Sequence, residues 1–259
     1  MGVINVTPDS FYAGSRVGGT AEAVERALEF ADAGADIIDI GGESTRPGAA
    51  EVPPSIEMER VMPAVEGIRR RSDVPISVDT YRPEVAKAAI ERGADIVNVV
   101  TGLGSRSGLE TVVRSGGVYI VLMHMRGTPR SMQELAVYAD VVGEVSRELD
   151  RSIEIALEAG IPKEKVIIDP GIGFAKKAAH NLALLKNLPV FKAKGYPLLV
   201  GLSRKSFLGA LTGCAPEERL VPTIAADAIA IFQGADIVRV HDVREAVITA
   251  KVADALKKA

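Results

Sequence analysis

Arg239 and His241 stand two residues apart in the run IVRVHD at 237–242, so on an extended strand both side chains leave from one face and Val240 from the other. Lys205 ends another apolar run and precedes a helical stretch, within SRKS at 203–206. Donors grouped in this way suit an anion rich in oxygens, above all a phosphate. A second set has the opposite character. Asp79, Asn98 and Asp169 close the Ile/Val-rich runs PISVD, IVNVV and KVIID, and a buried carboxylate or amide requires a hydrogen-bonding partner. A planar heterocycle with donor and acceptor edges could be that partner. Taken singly, an Asp or Asn after a strand is more often a helix cap or turn former, and Thr80 and Asp242 fit that plainer role.

Other motifs carry weaker signals. GGEST at 41–45 and GIGF at 171–174 resemble phosphate loops but lack the terminal Gly-Lys-Ser/Thr of a P-loop. His180 falls inside the amphipathic KKAAHNLALLKNL and reads as a helix or capping residue, while His124 follows a strand and fits either a structural or a binding role. The three histidines show no i, i+4 spacing, which argues against a zinc hydrolase, and any metal is expected to be magnesium held by oxygens and phosphate. Lys205 at a strand end also admits Schiff-base chemistry, but Arg204 and Ser206 beside it favour an electrostatic role.

The elements that must position these groups follow from a repeat. Gly-Ala-Asp occurs at 34–36, 93–95 and 234–236, each time after an amphipathic stretch and before a β-branched run: a helix, a glycine stop and a strand. The runs are nearly continuous in Ile and Val, as in parallel strands covered on both faces. Counting GVINV, PISVD, VYIVLMH, KVIID and PLLVGLS as well gives eight strands in 259 residues with no linker. The expectation is an α/β fold, a single-domain (β/α)8 TIM-type barrel over 1–259, with a doubly wound sheet as the alternative. The first strand begins almost at residue 1, which suggests that N-terminal sequence is missing.

In a barrel the strand ends surround one mouth, and all eight are polar here. They carry Asn5 with Thr7, Asp9 and Ser10; Glu43, Ser44, Thr45 and Arg46; Asp79 and Thr80; Asn98; His124; Asp169; Ser203 to Ser206; and Arg239, His241 and Asp242.

The partners are bounded by composition. With 31 basic and 34 acidic residues the net charge is −3 and there is no basic block, so nucleic acid is a poor candidate. No apolar window approaches a membrane span, and no signal peptide opens the chain. One cysteine, Cys214, leaves no internal disulfide and fits a reducing, cytoplasmic setting.

Taken together, NVTPDSF at 5–11, GADIIDIGGESTRPGA at 34–49, PISVDT at 75–80, LMHMRGTP at 122–129, IIDPGIGF at 167–174, GLSRKSFLG at 201–209 and RVHDV at 239–243 resemble the dihydropteroate synthase family. The resemblance runs from residue 2 to the end and implies a (β/α)8 barrel. It implies a folate-pathway reaction in which p-aminobenzoate displaces pyrophosphate from 6-hydroxymethyl-7,8-dihydropterin diphosphate. It further implies that Asp79, Asn98, Asp169, Lys205, Met123 and Phe174 hold the pterin and that Thr45, Arg239 and His241 hold pyrophosphate. Magnesium would lie near Asn5, and Arg46, Pro47, Phe174 and Ser206 would surround p-aminobenzoate. Lys205, Arg239, His241 and Asp169 are the implied catalytic set, and a sulfonamide-sensitive homodimer the implied assembly.

Three departures from the family pattern bear on the second substrate: Asn98 is followed by Val99 where Asp is usual, GFAK stands for Gly-Phe-Gly-Lys at 173–176, and DSFYAGSR occupies the first loop. Two neighbouring readings stay open. One is a pterin-binding methyltransferase serving a corrinoid protein, against which the retained ESTRPGA and RVHDV argue. The other is a pterin-binding barrel without turnover.

Overall fold

Each Gly-Ala-Asp tripeptide ends one helix and launches the next strand. Gly34, Gly93 and Gly234 have φ of 98°, 97° and 111°, the left-handed conformation that stops a helix at little cost only for glycine. Two of the three aspartates have a second task. Asp95 accepts the backbone N–H of Ile76 at 2.8 Å and Asp236 that of Leu198 at 2.7 Å, so each carboxylate caps the start of the preceding strand.

The computed structural model describes residues 1–7, 19–45, 48–49, 51–103 and 108–259. Among them, strands β1 (Gly2–Asn5), β2 (Ile38–Gly41), β3 (Ile76–Asp79), β4 (Ile96–Val99), β5 (Tyr119–Met123), β6 (Val166–Asp169), β7 (Leu199–Val200) and β8 (Ile237–Val238) alternate with helices. The helices are α1 (Thr20–Asp32), α2 (Pro54–Arg69), α3 (Pro83–Glu91), α4 (Leu109–Gly116), α5 (Val141–Glu158), α6 (Ala178–Lys186), α7 (Leu188–Lys192), α8 (Ser206–Thr212), α9 (Leu220–Phe232) and α10 (Val243–Lys258).

Strands β1 to β6 pair in sequence order, all parallel, and β7 pairs with β8. Single bridges between Ile168 and Leu198 and between Gly2 and Val240 join the two sheets and close the ring. That closure excludes the doubly wound alternative and makes the molecule the expected (β/α)8 barrel. Its interior is packed by Met1, Ile96, Val121, Ile167 and Leu199, and two larger apolar clusters lie between strands and helices. The register aligns Asn5, Gly41, Asp79 and Asn98 in one row at the strands' C-terminal ends, with Val3, Asp39, Ser77 and Ile96 in the layer beneath.

Candidate active site

Inward-facing positions alternate along each strand, so the row holding Asp79 and Asn98 opens at the barrel mouth together with the residues that follow β6, β7 and β8. Two adjoining cavities occupy that mouth. The larger, about 190 Å³, is lined by Asn5, Thr7, Thr45 and Ser206 among others; the smaller, about 40 Å³, by Asn98, Met123 and Asp169. Phe174, Ser203, Lys205, Arg239 and His241 line both, and so form the boundary between them.

The electrostatics of this boundary come from charges forced together in a buried setting. Arg239 donates from Nε to Oδ2 of Asp39 at 2.7 Å and from Nη2 to Oδ2 of Asp79 at 3.0 Å. Burial pushes the Asp79 carboxyl up to about 7, against the pull of Arg239. Asp169 is also raised by burial, opposed by Lys205 and by the N–H of Gly171, which donates to its Oδ1 at 2.7 Å. Lys205 is pulled down to about 8 by burial, with Asp169 resisting. Its Nζ lies 4.5 Å from the Phe174 ring centroid and donates to the carbonyl of Ile172. His241 is pulled down to about 4 by burial and then by Arg239, so its ring is neutral at neutral pH.

The turn after β6 explains the Gly-rich GIGF. A Cβ on Gly171, at φ 67°, would come within 1.9 Å of the His124 carbonyl oxygen; the glycine is required by backbone packing, not by an anion. His124 is buried behind it, with Nε2 2.9 Å from Glu148 and Nδ1 3.0 Å from Nζ of Lys176, in a structural role. His180 is a capping residue, its Nδ1 accepting from the N–H of Lys177 at 3.2 Å.

Of the residues singled out in the sequence, Asn5, Thr45, Asn98, Met123, Asp169, Phe174, Lys205, Ser206, Arg239 and His241 all line this mouth. Asp79 stands in the same row as Asn98, bonded to Arg239, and lines neither cavity. Arg46, Pro47, Asp9, Ser10 and Tyr12 lie outside the described residues. Thr80 fills the plain turn role, its Oγ1 accepting from the N–H of Arg82 at 3.2 Å. Asp242, expected as a possible cap, instead receives Nε and Nη2 of Arg204 at 2.9 and 2.8 Å and makes no side-chain cap bond. That pairing ties the loop after β7 to the loop after β8.

Asp39 and Lys176 are not among the residues the sequence singles out, and Ser203 is singled out there only as a strand-end residue. Asp39 had a usable signal, a charged residue inside an isoleucine run; Lys176 had none, since its neighbours in space, His124 and Phe174, come from two different loops.

Fold and site together define an α/β-barrel enzyme with a cationic, ligand-binding mouth. The chain matches the pterin binding enzyme family over residues 1–241. Dihydropteroate synthase of Escherichia coli (strain K12) is 48% identical over 255 residues, covering 98% of this chain and 90% of that protein. Dihydropteroate synthase of Bacillus subtilis (strain 168) is 44% identical over 256 residues, covering 99% and 87%. Among solved structures, Yersinia pestis dihydropteroate synthase in a sulfonamide drug complex superposes with a TM-score of 0.96 at 42% identity, covering 100% of this chain and 94% of that one. The Thermus thermophilus enzyme in complex with 4-aminobenzoate gives 0.89 at 42% identity, covering 99% and 93%. The chain belongs to the dihydropteroate synthase family of pterin-binding enzymes, which are transferases.

Proposed function

We propose that the chain condenses 6-hydroxymethyl-7,8-dihydropterin diphosphate with p-aminobenzoate, breaking the methylene C–O bond, forming a C–N bond and releasing pyrophosphate and 7,8-dihydropteroate. The observation that carries this reading is the pair of adjoining cavities, one bordered by amide and carboxylate groups, the other by hydroxyls, with the Lys205, Arg239 and His241 donors between them. The pterin ring belongs with Asn98, Asp169, Met123 and Lys205, and with Asp79 once Arg239 turns from it. Pyrophosphate belongs with Thr45, Arg239 and His241. The arylamine belongs with Phe174 and Ser206, completed by Arg46 and Pro47. A corrinoid-serving methyltransferase would have no pyrophosphate for the Thr45, Arg239 and His241 corner to hold.

The chemistry needs no strong base. Arg239 and a neutral His241 donate to the departing pyrophosphate as its charge grows, and fixed donors of this kind supply the larger part of such an acceleration. The ring cation left on the pterin methylene is delocalised, and an ionised Asp169 favours it. The arylamine is neutral and nucleophilic at pH 7, so a dissociative, SN1-like displacement follows. Excluding water protects that cation from hydrolysis.

Magnesium would find hard oxygens here: Asn5 lines the larger cavity, and Oγ1 of Thr7 beside it is buried without a hydrogen-bond partner among the described residues. Among the described residues there is no cluster of three or more His, Cys, Asp or Glu that could hold a metal ion, so most ligands would come from the diphosphate and water. When bound, magnesium would offset the charge of the leaving group.

The reading extends to a homodimer. Val221, Ile229 and Phe232 on α9 and Ile248, Val252 and Leu256 on α10 are exposed on two helices that pack side by side, an apolar face suited to a second copy. Light scattering showing only monomer would reject it. We place the protein in the cytoplasm on its single cysteine; no helix among the described residues is long and apolar enough to cross a membrane.

A pyrophosphate-release assay tests the function. Release that requires the dihydropterin diphosphate, p-aminobenzoate and magnesium together is the expected result. Release that ignores the amine would overturn it. If bound pyrophosphate is what draws Arg46 to the arylamine, p-aminobenzoate should bind well only in the presence of pyrophosphate, and equal affinity without it would remove that role from Arg46.

A further inference from the structure

Asp39 lies on β2, one layer below the row of Asp79 and Asn98, at 0% exposure, and lines neither cavity. Its bonds nevertheless lead into the site. Oδ2 accepts from Nε of Arg239 at 2.7 Å and from Nδ2 of Asn98 at 3.3 Å, while Oδ1 has no hydrogen-bond partner among the described residues. Nη2 of the same guanidinium lies 2.5 Å from that Oδ2 and also reaches Asp79 at 3.0 Å. One arginine therefore spans two carboxylates, one sealed in the barrel and one in the row at its mouth.

We propose that Asp39 is a positioning residue for the transfer reaction: it anchors Arg239 from below, so that the guanidinium can release Asp79 to the pterin and turn to pyrophosphate without leaving the site. For the names of the ligands this inference rests on the function proposed above. The guanidinium is a rigid planar fork with five N–H donors, so an anchor on its Nε–Nη2 edge can hold it while Nη2 gives up Asp79 and Nη1 points elsewhere. Without that anchor, Asp79 would be the remaining carboxylate bonded to Arg239. Arg239 would then compete with the pterin for Asp79 and face pyrophosphate less well. The Asn98 contact serves the same end. Its Nδ2–H is directed down to Asp39, leaving its carbonyl oxygen for the cavity it lines.

A second signature distinguishes positioning from packing. Asp79 is faced by Arg239 after β8, Asp39 on β2, Glu57 on α2 and Glu43 after β2, and each carboxylate opposes its ionisation while Arg239 favours it. Neutralising Asp39 removes one opposing charge and leaves Arg239 nearer Asp79. The acid limb of pterin binding, set by Asp79, should then move to lower pH.

The test is Asp39→Asn, alone and in an Arg239→Met background, with inorganic pyrophosphate and 6-hydroxymethylpterin as separate calorimetric ligands. The single variant should bind pyrophosphate about tenfold or more weakly, the loss of one charge-assisted bond, and should show the shifted acid limb for the pterin. In the Arg239→Met background the same substitution should cost no further pyrophosphate affinity. Equal losses in both backgrounds, or an unchanged affinity and unmoved limb, would overturn the proposal. So would a single variant that unfolds while the double variant folds, since Asp39 would then serve only to neutralise Arg239. These binding measurements require no turnover, so a wild-type protein inactive in the release assay would sink the proposed function and still leave this inference decidable.

Discussion

Oγ of Ser203 lies 2.9 Å from Nδ1 of His241 and 3.2 Å from that residue's backbone nitrogen. The backbone N–H donates to the hydroxyl oxygen, which leaves the hydroxyl proton to donate to Nδ1, and the neutral ring then carries its own proton on Nε2. Ser203 thereby sets the tautomer that can donate to a phosphate oxygen. Ser203→Ala should weaken pyrophosphate binding by about 0.5–1.5 kcal/mol, the worth of one neutral hydrogen bond, and leave pterin affinity unchanged. Calorimetry with each ligand separately checks it; an unaltered pyrophosphate affinity would show that the ring is oriented by other contacts.

Asp79 can accept two ring donors only as a carboxylate, and burial holds its titration up at about 7. Pterin affinity should therefore rise with pH through that region and fall below it. Asp79→Asn and Asp169→Asn should each cost roughly 1.5–3 kcal/mol of pterin binding, the range for a charge-assisted bond, and the first should also abolish the acid limb. Unchanged affinities would return both residues to a capping role.

Lys176 is 4% exposed, and its Nζ lies 3.0 Å from Nδ1 of His124, 3.3 Å from the His124 carbonyl and 2.9 Å from that of Phe174. Burial lowers it from 10.5 to about 7. Between those values the unfolded chain holds more protons than the folded one, so this group makes stability increase as pH rises. Lys176→Met should diminish that increase, measured as urea midpoints at pH ~7 and ~10. The variant should also be less stable by about 1–3 kcal/mol, because buried carbonyls lose their donor. An undiminished increase would assign the pH dependence to other groups, Lys205 first.

Ala175 occupies φ 48° and is fully buried against Val100, Met123, Met125 and Met132. The left-handed conformation costs an L-residue about 1–2 kcal/mol, but the buried methyl returns about 0.8 kcal/mol and the restricted unfolded chain about 0.4–1 kcal/mol. These nearly cancel. Ala175→Gly should thus shift stability by no more than about 0.5 kcal/mol, whereas the β-branched Ala175→Val should destabilise clearly. A urea midpoint for the glycine variant far above wild type would mean that strain dominates this turn.

Much of the barrel was legible in the sequence because three Gly-Ala-Asp stops and eight Ile/Val runs are local signals, each read within a few residues. The polar strand ends were legible for the same reason: periodicity places them at one mouth once the strands are parallel. What local pattern could not show is partnership across the ring. Asp39 and Arg239 are 200 positions apart and meet through an arrangement that depends on closure. Asp242 looked like a cap because it precedes a helix, but Arg204 reaches it from 38 residues away. GIGF looked like an anion loop because glycine density is shared by loops that wrap phosphate and loops that pack on backbone.

The β7–β8 pair has two residues per strand and is stitched to its neighbours by single bridges at Ile168–Leu198 and Gly2–Val240. This is the seam of the barrel, and Lys205, Arg239 and His241 all hang from it. Segments with few backbone bonds open at lower free energy than the whole molecule. Amide hydrogens around 198–200 and 237–240 should therefore exchange sooner than those of β2 to β5. In rising urea, catalytic competence should vanish while the helical signal is still intact, so that for this protein inactivation is an event of the seam and precedes unfolding.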